Sequence, residues 1–411
     1  MTHQDQQQSL LARLTPGILV AATGVGAGDL LTASFAGAQT GVLLLWTVVV
    51  GALLKWGLNE GIARWQMGTE TTLLEGWTSR LGGGIRWIFL IYFLFWSLMV
   101  GGALISACGV AGDGLLSLGD HDTSRIIWGI IHSLIGLAIV WIGGFKIFEK
   151  MMMVCIAVMF VGVLLTAALL PHDWGSVMSG LFVPKLPSGS LPLVLGVMGG
   201  VGGTVTLLSY GYWIRARKRS GWDGLKISRL DLGVAYVATA LFGVAMILIG
   251  SHIKLESEGA KVGLLLAAQL GEVLGPVGKY LFLIGFWGAV FSSLLGVWQS
   301  APYLFADFLY AKRKSMLDDL TTTKPYRLYL VAIAIVPTLL LWFSVKQVQI
   351  AYAVLGALFM PLLALTLLLM NNRTDWVGSR FRNTFFLNAI LIVTLVLFLY
   401  IGGRQIVELL P

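Results

Sequence analysis

The chain has 411 residues, of which 57% are hydrophobic and only 12% are charged. Soluble domains carry about twice that share of charged residues, so the composition excludes a soluble enzyme or binding module and indicates a protein that faces lipid. The formal net charge of +8 needs no nucleic-acid partner, because the basic residues lie in short connections between apolar segments.

The apolar segments predict an all-α integral membrane protein, since most of them reach the roughly 20 residues that a helix needs to cross a bilayer. Residues 1–16 are polar and lack the pattern of a cleaved signal, so we interpret them as a cytoplasmic tail. We expect eleven spans, at residues 17–41, 42–64, 87–111, 124–144, 150–170, 192–214, 231–252, 279–304, 326–343, 348–371 and 383–403.

The distribution of positive charge predicts the orientation of these spans. Of the 28 Lys and Arg residues, 20 fall on one side, 7 fall on the other, and Lys55 lies within a span. The side richer in Lys and Arg is normally cytoplasmic. We therefore expect a multi-pass protein of a bacterial inner membrane, with its N-terminus in the cytoplasm and its C-terminus outside.

Two of the spans are interrupted by glycine at matching points of the two halves. The first interruption is the run Thr23-Gly24-Val25-Gly26-Ala27-Gly28-Asp29, and the second is the run Gly199-Gly200-Val201-Gly202-Gly203-Thr204. Broken helices leave backbone groups free, which a membrane tolerates only where they line a cavity or are buried in protein. Paired breaks are the best sequence indication of a secondary transporter's binding site.

Each break begins a half-helix inside the membrane, and the free N–H groups of such a helix attract an anionic group. Glycine at the second break would let a ligand approach the backbone, and its threonines add hydroxyl groups. The predicted binding residues are Gly26, Ala27, Gly28, Asp29, Thr32, Gly202, Gly203, Thr204 and Thr206.

Asp29 is the one carboxylate among these residues, and several roles remain open for it. It could cap the half-helix that follows the first break, or it could ligate a cation, hold a coupling proton or bind a substrate ammonium. A zwitterion would satisfy both Asp29 and the free N–H groups. Ionisable groups inside a membrane are costly, so their presence is a functional hypothesis.

Further polar residues within the spans are candidates for coupling or gating. Lys55 either extends to the cytoplasmic interface or is a buried cation, and Asn59 lies one turn further on the same face. Glu60 and Arg64 are four residues apart and can form an ion pair. His132 is either a hydrogen-bonded structural residue or a proton relay.

The longest predicted outer connection covers residues 253–278 and contains an apolar stretch at Val262–Leu270. This stretch predicts a short helix on the outer surface, and we interpret it as a lid over the outer vestibule.

Four stretches of the chain resemble the Nramp family of proton-coupled metal transporters. They are Pro16–Gly41, with Thr32, Ala36-Gly37 and Gly41; Leu54–Trp65; Gly288–Phe308, with Ser292-Ser293, Gln299 and Asp307; and Gln349–Leu369, centred on Pro361. The resemblance implies a LeuT-like fold, which is a five-plus-five inverted repeat with discontinuous helices 1 and 6. The repeats would cover residues 17–171 and 192–371, followed by an additional helix at 383–403. The Leu54–Trp65 stretch marks a divergent bacterial branch.

The chain departs from the family at the residues that hold the metal. The family's Asp-Pro-Gly-Asn motif aligns with Gly26 to Asp29, and its Met-Pro-His-Asn motif aligns with Gly203 to Thr206. Phe359 replaces a glutamine of the tenth span. Because ligand type and geometry govern metal selectivity, we predict no transition-metal site.

The sequence therefore predicts a secondary active transporter, coupled to protons as the resemblance implies, for a small anionic or zwitterionic solute. One alternative is a transporter of divalent metal such as Mg²⁺ or Mn²⁺, since hard cations accept oxygen ligands. A second alternative is a membrane sensor that does not transport. No cofactor is predicted, no catalytic group indicates an enzyme, and the oligomeric state stays open.

Overall fold

The computed structural model describes residues 10–200, 203–252, 262–310 and 320–409, and that part of the chain is helical without any β-strand. In chain order the helices are α1 (Leu10–Gly24), α2 (Ala27–Thr40), α3 (Leu45–Thr69), α4 (Leu73–Gly76), α5 (Gly83–Leu115), α6 (His121–Leu169), α7 (Trp174–Phe182), α8 (Leu191–Gly200), α9 (Ser209–Ala216), α10 (Gly221–Ser251), α11 (Val262–Tyr310), α12 (Lys324–Ile335), α13 (Val345–Asn371), α14 (Thr374–Val377) and α15 (Phe385–Leu409).

Seven segments within the described residues are long and apolar enough to cross a membrane. Large side chains stay exposed along the bundle, such as Ile142 at 82% and Phe385 at 90%, as expected of helices that face lipid. The seven segments are Gly83–Leu115, His121–Gly143, Ile147–Leu169, Leu191–Ala216, Gly221–Ser251, Ala267–Tyr310 and Lys324–Trp342. The full count of eleven spans and the inverted repeat stay predictions.

Three boundaries differ from those expected. Helix α1 begins at Leu10, within the stretch interpreted as a tail, because Leu10 to Leu14 are good helix formers. Helix α6 contains the fourth and the fifth predicted spans together. The helix predicted in the outer connection is present as the first part of α11, which bends at Gly275, where φ is 71°. A lid function for it stays a prediction, and residues 253–261 lie outside the described part.

Helices α10 and α11 each pack against several other helices. Helix α11 packs against α6, α5, α1 and α12, while α10 packs against α2, α3 and α1. Small residues permit close contact between α2 and α10: a Cβ atom at Gly37 would lie 2.2 Å from the carbonyl oxygen of Ile247, and one at Gly250 would lie 2.3 Å from that of Ser34. Such contacts are typical of membrane helices, and they fix α2 on α10.

Candidate functional site

The first predicted break is present, and it separates α1 from α2. Helix α1 ends at Gly24 and α2 begins at Ala27, so Val25 and Gly26 form the break. The N–H group of Val25 still bonds to Ala21, and that of Leu30 bonds to Gly26, at 2.8 and 3.1 Å. The carbonyl end of α1 and the amide end of α2 therefore lie next to each other inside the bundle.

The second break separates α8, which ends at Gly200, from a short 3₁₀ turn at Val205–Leu208 and from α9. Gly203 has φ of 86°, a left-handed conformation that glycine adopts most readily. Predicted site residue Gly202 lies outside the described residues.

The two breaks face each other. A Cβ atom at Gly203 would lie 3.2 Å from the Cα atom of Gly24 and 2.5 Å from the Oγ1 atom of Thr206. The cavity between the breaks has a volume of only about 10 Å³, close to the minimum for one water molecule. Its lining residues are Thr23, Gly24, Gly26, Val100, Leu104, Gly200, Thr206, Ser293, Val297 and Tyr352.

Only part of the predicted binding set lines this cavity. Gly26 and Thr206 do. Thr204 instead accepts a hydrogen bond of 2.9 Å from the indole of Trp96 and packs against Gly356. Thr32 is half-buried on α2, where its methyl group packs against Gly196 of α8.

Ala27, Gly28 and Asp29 form the first turn of α2, and their side chains lie outside the described part. Because α2 begins at Ala27, the position before the helix belongs to Gly26, and Asp29 is the third residue of the first turn. Its backbone position differs from the N-cap position that the cap interpretation assumed.

Lys55 is buried at the second break. Its side chain is 1% exposed, and its ammonium group donates hydrogen bonds to the carbonyl oxygen of Gly199, at 2.8 Å, and to that of Gly203. It does not extend to the cytoplasmic interface, one of the two roles considered from the sequence. The negative end of the α8 dipole stabilises a cation at this position.

Asn59, Glu60 and Arg64 lie further along α3, away from the cavity. Glu60 pairs with Arg64 at 2.6 Å, as predicted, and it also accepts from Arg229 of α10 at 2.8 Å. Asn59 donates to the hydroxyl group of Tyr236 at 3.0 Å. These contacts join α3 to α10 at one face of the bundle. The connections that are rich in Lys and Arg lie at this face, and we call it the basic face.

His132 has a partner for each ring nitrogen. Nδ1 lies 2.7 Å from the carbonyl oxygen of Trp128, and Nε2 lies 2.8 Å from the indole nitrogen of Trp287. The carbonyl oxygen requires a proton on Nδ1, and the indole N–H requires an acceptor at Nε2. The ring is therefore neutral and fully bonded, which matches the structural role and not the relay.

Two buried carboxylates at the basic face were given no site role by the sequence analysis. Asp231 accepts from the backbone N–H of Gly17 at 2.8 Å and from Arg219 at 2.9 Å. Asp307 accepts from Thr72 at 3.0 Å and from Tyr212 at 2.7 Å. Asp307 entered the sequence analysis only through the family resemblance, and the signal for Asp231 was its position at the end of an apolar span. They hold the middle of α1, at Gly17, and the end of α11 in place.

A larger cavity of about 590 Å³ opens at the basic face. Trp213 of α9 and Gln299 of α11 both line it and are joined by a hydrogen bond of 3.2 Å. Helix α11 also carries Ser293 of the small cavity, and six residues of helix correspond to about 9 Å. The two cavities therefore lie along the same helix, and we call the larger one the basic vestibule.

The described residues include no group of three or more His, Cys, Asp or Glu side chains placed to hold a metal ion. The described side chains at the small cavity offer hydroxyl groups, from Thr23, Thr206, Ser293 and Tyr352. Neither a thioether nor an imidazole is among these lining residues.

Comparison with known proteins places this arrangement among membrane transporters. A family profile described as "Natural resistance-associated macrophage protein-like" matches residues 17–408. An uncharacterized protein of Pasteurella multocida (strain Pm70) is 22% identical over 324 residues, which are 75% of this chain and 70% of that protein.

Solved structures share the fold at low sequence identity. The manganese transporter of Eremococcus coleocola, in complex with an aromatic bis-isothiourea substituted compound, superposes with a TM-score of 0.76 at 18% identity. That match covers 99% of this chain and 88% of the other. MhsT in complex with L-phenylalanine superposes with a TM-score of 0.62 at 15% identity, over 98% and 99% of the two chains.

Proposed function

This chain belongs to the Nramp family and is a multi-pass membrane transporter, and from that premise we propose that it carries a small anionic or zwitterionic solute between the two breaks. The observation that supports this substrate class is the buried ammonium group of Lys55, which contacts the carbonyl oxygens of Gly199 and Gly203. It puts a fixed positive charge beside the cavity.

The charge of Lys55 discriminates between anions and dications. The ammonium group offsets the negative end of α8, while the amide ends of α2 and of the turn at Val205–Leu208 stay positive. At an effective dielectric constant of about 20, a dication about 5 Å from an ammonium group is repelled by roughly 7 kcal/mol. A carboxylate in the same position is attracted by about half that energy.

The cavity lining supports the same choice by its chemistry. Thr206 carries a hydroxyl group, which can donate to an oxyanion as readily as it accepts. The family motif positions that are Asp and Met in the resemblance are Gly26 and Gly203 here, so two usual ligands of a borderline-soft metal are replaced by glycine.

The present cavity of about 10 Å³ is too small for a carboxylic acid, so transport requires a rearrangement. We propose that α1–α3 and α8–α10 rock against α5, α6, α11 and α12. Secondary transporters with broken helices move in this way around a fixed site. The basic vestibule would then be the release path, with the contact between Trp213 and Gln299 as its inner gate.

Proton coupling is part of the proposal and comes from the family resemblance. Asp29 is the candidate proton carrier, because it lies in the first turn of α2 beside the break. His132 is not a candidate, since both of its nitrogens are engaged.

A divalent cation is the second candidate substrate. A cavity of the size of one ion, lined by oxygen atoms, favours it, and the structural neighbour from Eremococcus coleocola is named a manganese transporter. A hard ion that keeps part of its hydration shell would fit such a lining better than Mn²⁺.

Binding measurements on purified protein in nanodiscs separate the two candidates. A panel of small carboxylates and amino acids is screened by thermal stabilisation, and Mn²⁺ and Mg²⁺ are titrated by calorimetry. The proposal expects saturable stabilisation by one or more carboxylates and no saturable heat with either metal. Micromolar binding of a metal, without any stabilising carboxylate, would overturn it in favour of the second candidate.

A further inference from the structure

Two histidines meet at the face of the bundle opposite to the basic face. Helix α10 begins among the basic connections at Gly221 and ends at Ser251, so His252 lies at the opposite face, where it meets His172, which follows the end of α6. Nδ1 of His172 lies 3.4 Å from Nε2 of His252. His172 is half-buried and His252 is exposed. Neither residue lines the cavity between the breaks or the basic vestibule.

The ring of His172 is held in one tautomer. Its Nε2 atom lies 2.7 Å from the carbonyl oxygen of Ala167, and a carbonyl oxygen accepts only from an N–H group. The proton of the neutral ring is therefore on Nε2, which leaves a lone pair on Nδ1, the atom that faces His252. A backbone carbonyl oxygen that binds the second nitrogen in this way is a usual partner of a histidine that ligates a metal.

The turn that carries His172 is fixed by its neighbours. The carboxylate of Asp173 caps α7, since it accepts from the N–H group of Gly175 at 3.0 Å and from the hydroxyl group of Ser176 at 2.6 Å. The indole of Trp174 packs against the imidazole of His172, with 5.6 Å between the ring centroids. A ligand held in place before binding is the first requirement of a specific site.

The distance between the two nitrogen atoms matches a tetrahedral chelate. Zn²⁺ binds imidazole nitrogen at about 2.0–2.1 Å in tetrahedral geometry, which separates two ligand nitrogens by about 3.3–3.4 Å. A right angle at the metal, as in square-planar geometry, would separate them by only about 2.8–3.0 Å. The observed distance of 3.4 Å also exceeds the range of about 2.7–3.2 Å that is typical of N–H donors in hydrogen bonds.

Two helix ends direct negative potential at the histidine pair. Helix α6 ends at Leu169 and α10 ends at Ser251, and the carbonyl groups of the last turn give each helix end about half of a negative charge. His252 follows α10 directly, and His172 contacts the last turn of α6 through Ala167. The position of the pair therefore favours a bound cation.

We propose that His172 and His252 form a binding site for a divalent transition metal, with Zn²⁺ as the ion whose geometry fits best. Nδ1 of His172 and Nε2 of His252 would be the protein ligands, and water molecules would complete the tetrahedron at this solvent-accessible position. Mg²⁺ would not compete, because it prefers oxygen ligands. The site goes beyond the proposed function, since it takes an ion from the solution at that face and does not hold the carried solute.

A metal bound to both histidines would join the end of α10 to the end of α6. In the proposed transport movement, α10 belongs to one moving body and α6 to the other. The bridge would therefore hold the present arrangement and inhibit transport. This consequence rests on the proposed function, whereas the metal site itself does not.

The test measures Zn²⁺ binding to the purified full-length protein in nanodiscs, after removal of any affinity tag. Zn²⁺ is titrated by calorimetry, melting temperature is recorded on the same samples, and Mg²⁺ is the control ion. The wild type should bind about one Zn²⁺ per chain and melt at a higher temperature, and Mg²⁺ should have neither effect. His172→Gln and His252→Gln should each weaken Zn²⁺ binding by about tenfold or more, since each removes one of two protein ligands.

His121→Gln is the matched control. The side chain of His121 is 63% exposed, and its Nδ1 atom lies 2.7 Å from the carboxylate of Asp113, so it is a histidine of comparable access that is not part of the pair. The variant should retain wild-type Zn²⁺ binding. If His172→Gln does not fold because the contact with Ala167 is lost, His252→Gln and His252→Ala replace it, since the ring of His252 is exposed.

Two results would overturn the site: no saturable Zn²⁺ heat in the wild type, or wild-type Zn²⁺ affinity in the His172 and His252 variants. The inhibition is measured separately, as carboxylate uptake into proteoliposomes with and without Zn²⁺ on both sides. Uptake by the wild type should fall, and uptake by His252→Gln should be less sensitive. Zn²⁺ binding with unchanged uptake would support the metal site and contradict the rocking movement of the proposed function.

Discussion

The ammonium group of Lys55 lies 2.8 Å from the carbonyl oxygen of Gly199, across 144 positions of sequence. This contact joins the middle of α3 to the broken end of α8 and leaves a buried positive charge at the break. A site built of carboxylate and thioether ligands has no such fixed cation. The contact therefore changes the charge that the cavity presents to a substrate.

Replacing Lys55 with methionine tests the role of that charge. Lys55→Met leaves two buried carbonyl oxygens without a donor, which should lower the free energy of unfolding by at least about 2 kcal/mol. It should also weaken carboxylate binding by more than about tenfold. Binding and melting temperature are measured on the same protein, with Lys150→Met as the control on an exposed lysine.

Lys55→Arg separates the charge from the shape of the side chain. If the positive charge determines substrate class, the arginine variant should retain part of the carboxylate binding that the methionine variant loses. Equal binding by the wild type and Lys55→Met would remove the main support for an anionic substrate.

Gly203 is predicted to be intolerant of any side chain. Gly203→Val would place a Cβ atom 2.5 Å from the Oγ1 atom of Thr206 and force a β-branched residue into φ of 86°. The backbone strain alone should cost about 1–3 kcal/mol, and substrate binding should fall further than this loss explains.

Gly233→Ala is the control for Gly203→Val, since a Cβ atom at Gly233 would meet no atom within 4 Å. It should leave binding unchanged. Intact substrate affinity in the Gly203→Val protein that survives purification would mean that Gly203 serves packing only, and the binding site would have to lie elsewhere.

Asp29→Asn tests the coupling role of the first-turn carboxylate. Asparagine retains the size and hydrogen-bonding capacity of the side chain but cannot carry a proton at neutral pH. If Asp29 carries the coupling proton, the variant should still bind solute while its uptake no longer responds to a pH gradient. Flux like that of the wild type at every pH would leave a role in helix stability alone.

Two histidines at the face opposite to the basic face predict a local pH dependence. Nε2 of His252 lies 3.4 Å from Nδ1 of His172, and burial together with the neighbouring imidazole lowers the pKa of His252 below its usual value. The folded protein thus binds this proton less readily than the unfolded chain does.

The stability contribution of His252 is fully present above its unfolded pKa of about 6.5 and is lost as pH falls through the lower folded value. His252→Gln should therefore reduce the fall in melting temperature between neutral pH and about pH 5. The effect should be small, because the pair is partly exposed. An unchanged acid response in the variant would show that other groups govern it.

The glycine content was sufficient to locate both breaks. A run such as Gly24-Val25-Gly26 destabilises a helix, so it indicates an interruption within a membrane span. The Glu60–Arg64 pair also followed from helical spacing alone. The partners of Lys55 could not be predicted, since they depend on how α3 and α8 pack together. From the sequence, both a lysine that extends to the cytoplasmic interface and a buried lysine stayed open.

Contacts between residues that are far apart in the sequence explain the other differences between the predicted and the observed site. Ser292 and Ser293 stood out only through the family resemblance, and their contacts with Ala22 and Val25 join segments that are about 270 residues apart. Thr204 was expected in the cavity, but the indole of Trp96 on α5 provides a buried partner for its hydroxyl group. Such choices depend on neighbours that the sequence alone does not identify.

Flux into proteoliposomes tests the central claim most directly. Purified wild type is reconstituted and assayed for uptake of the stabilising carboxylate, of Mn²⁺ and of Mg²⁺, each with and without an inward proton gradient, alongside Lys55→Met. The account predicts carboxylate uptake that the proton gradient accelerates, that Lys55→Met abolishes, and that neither metal inhibits. Saturable uptake of Mn²⁺ or Mg²⁺ by the wild type, with no uptake of the carboxylate, would contradict it.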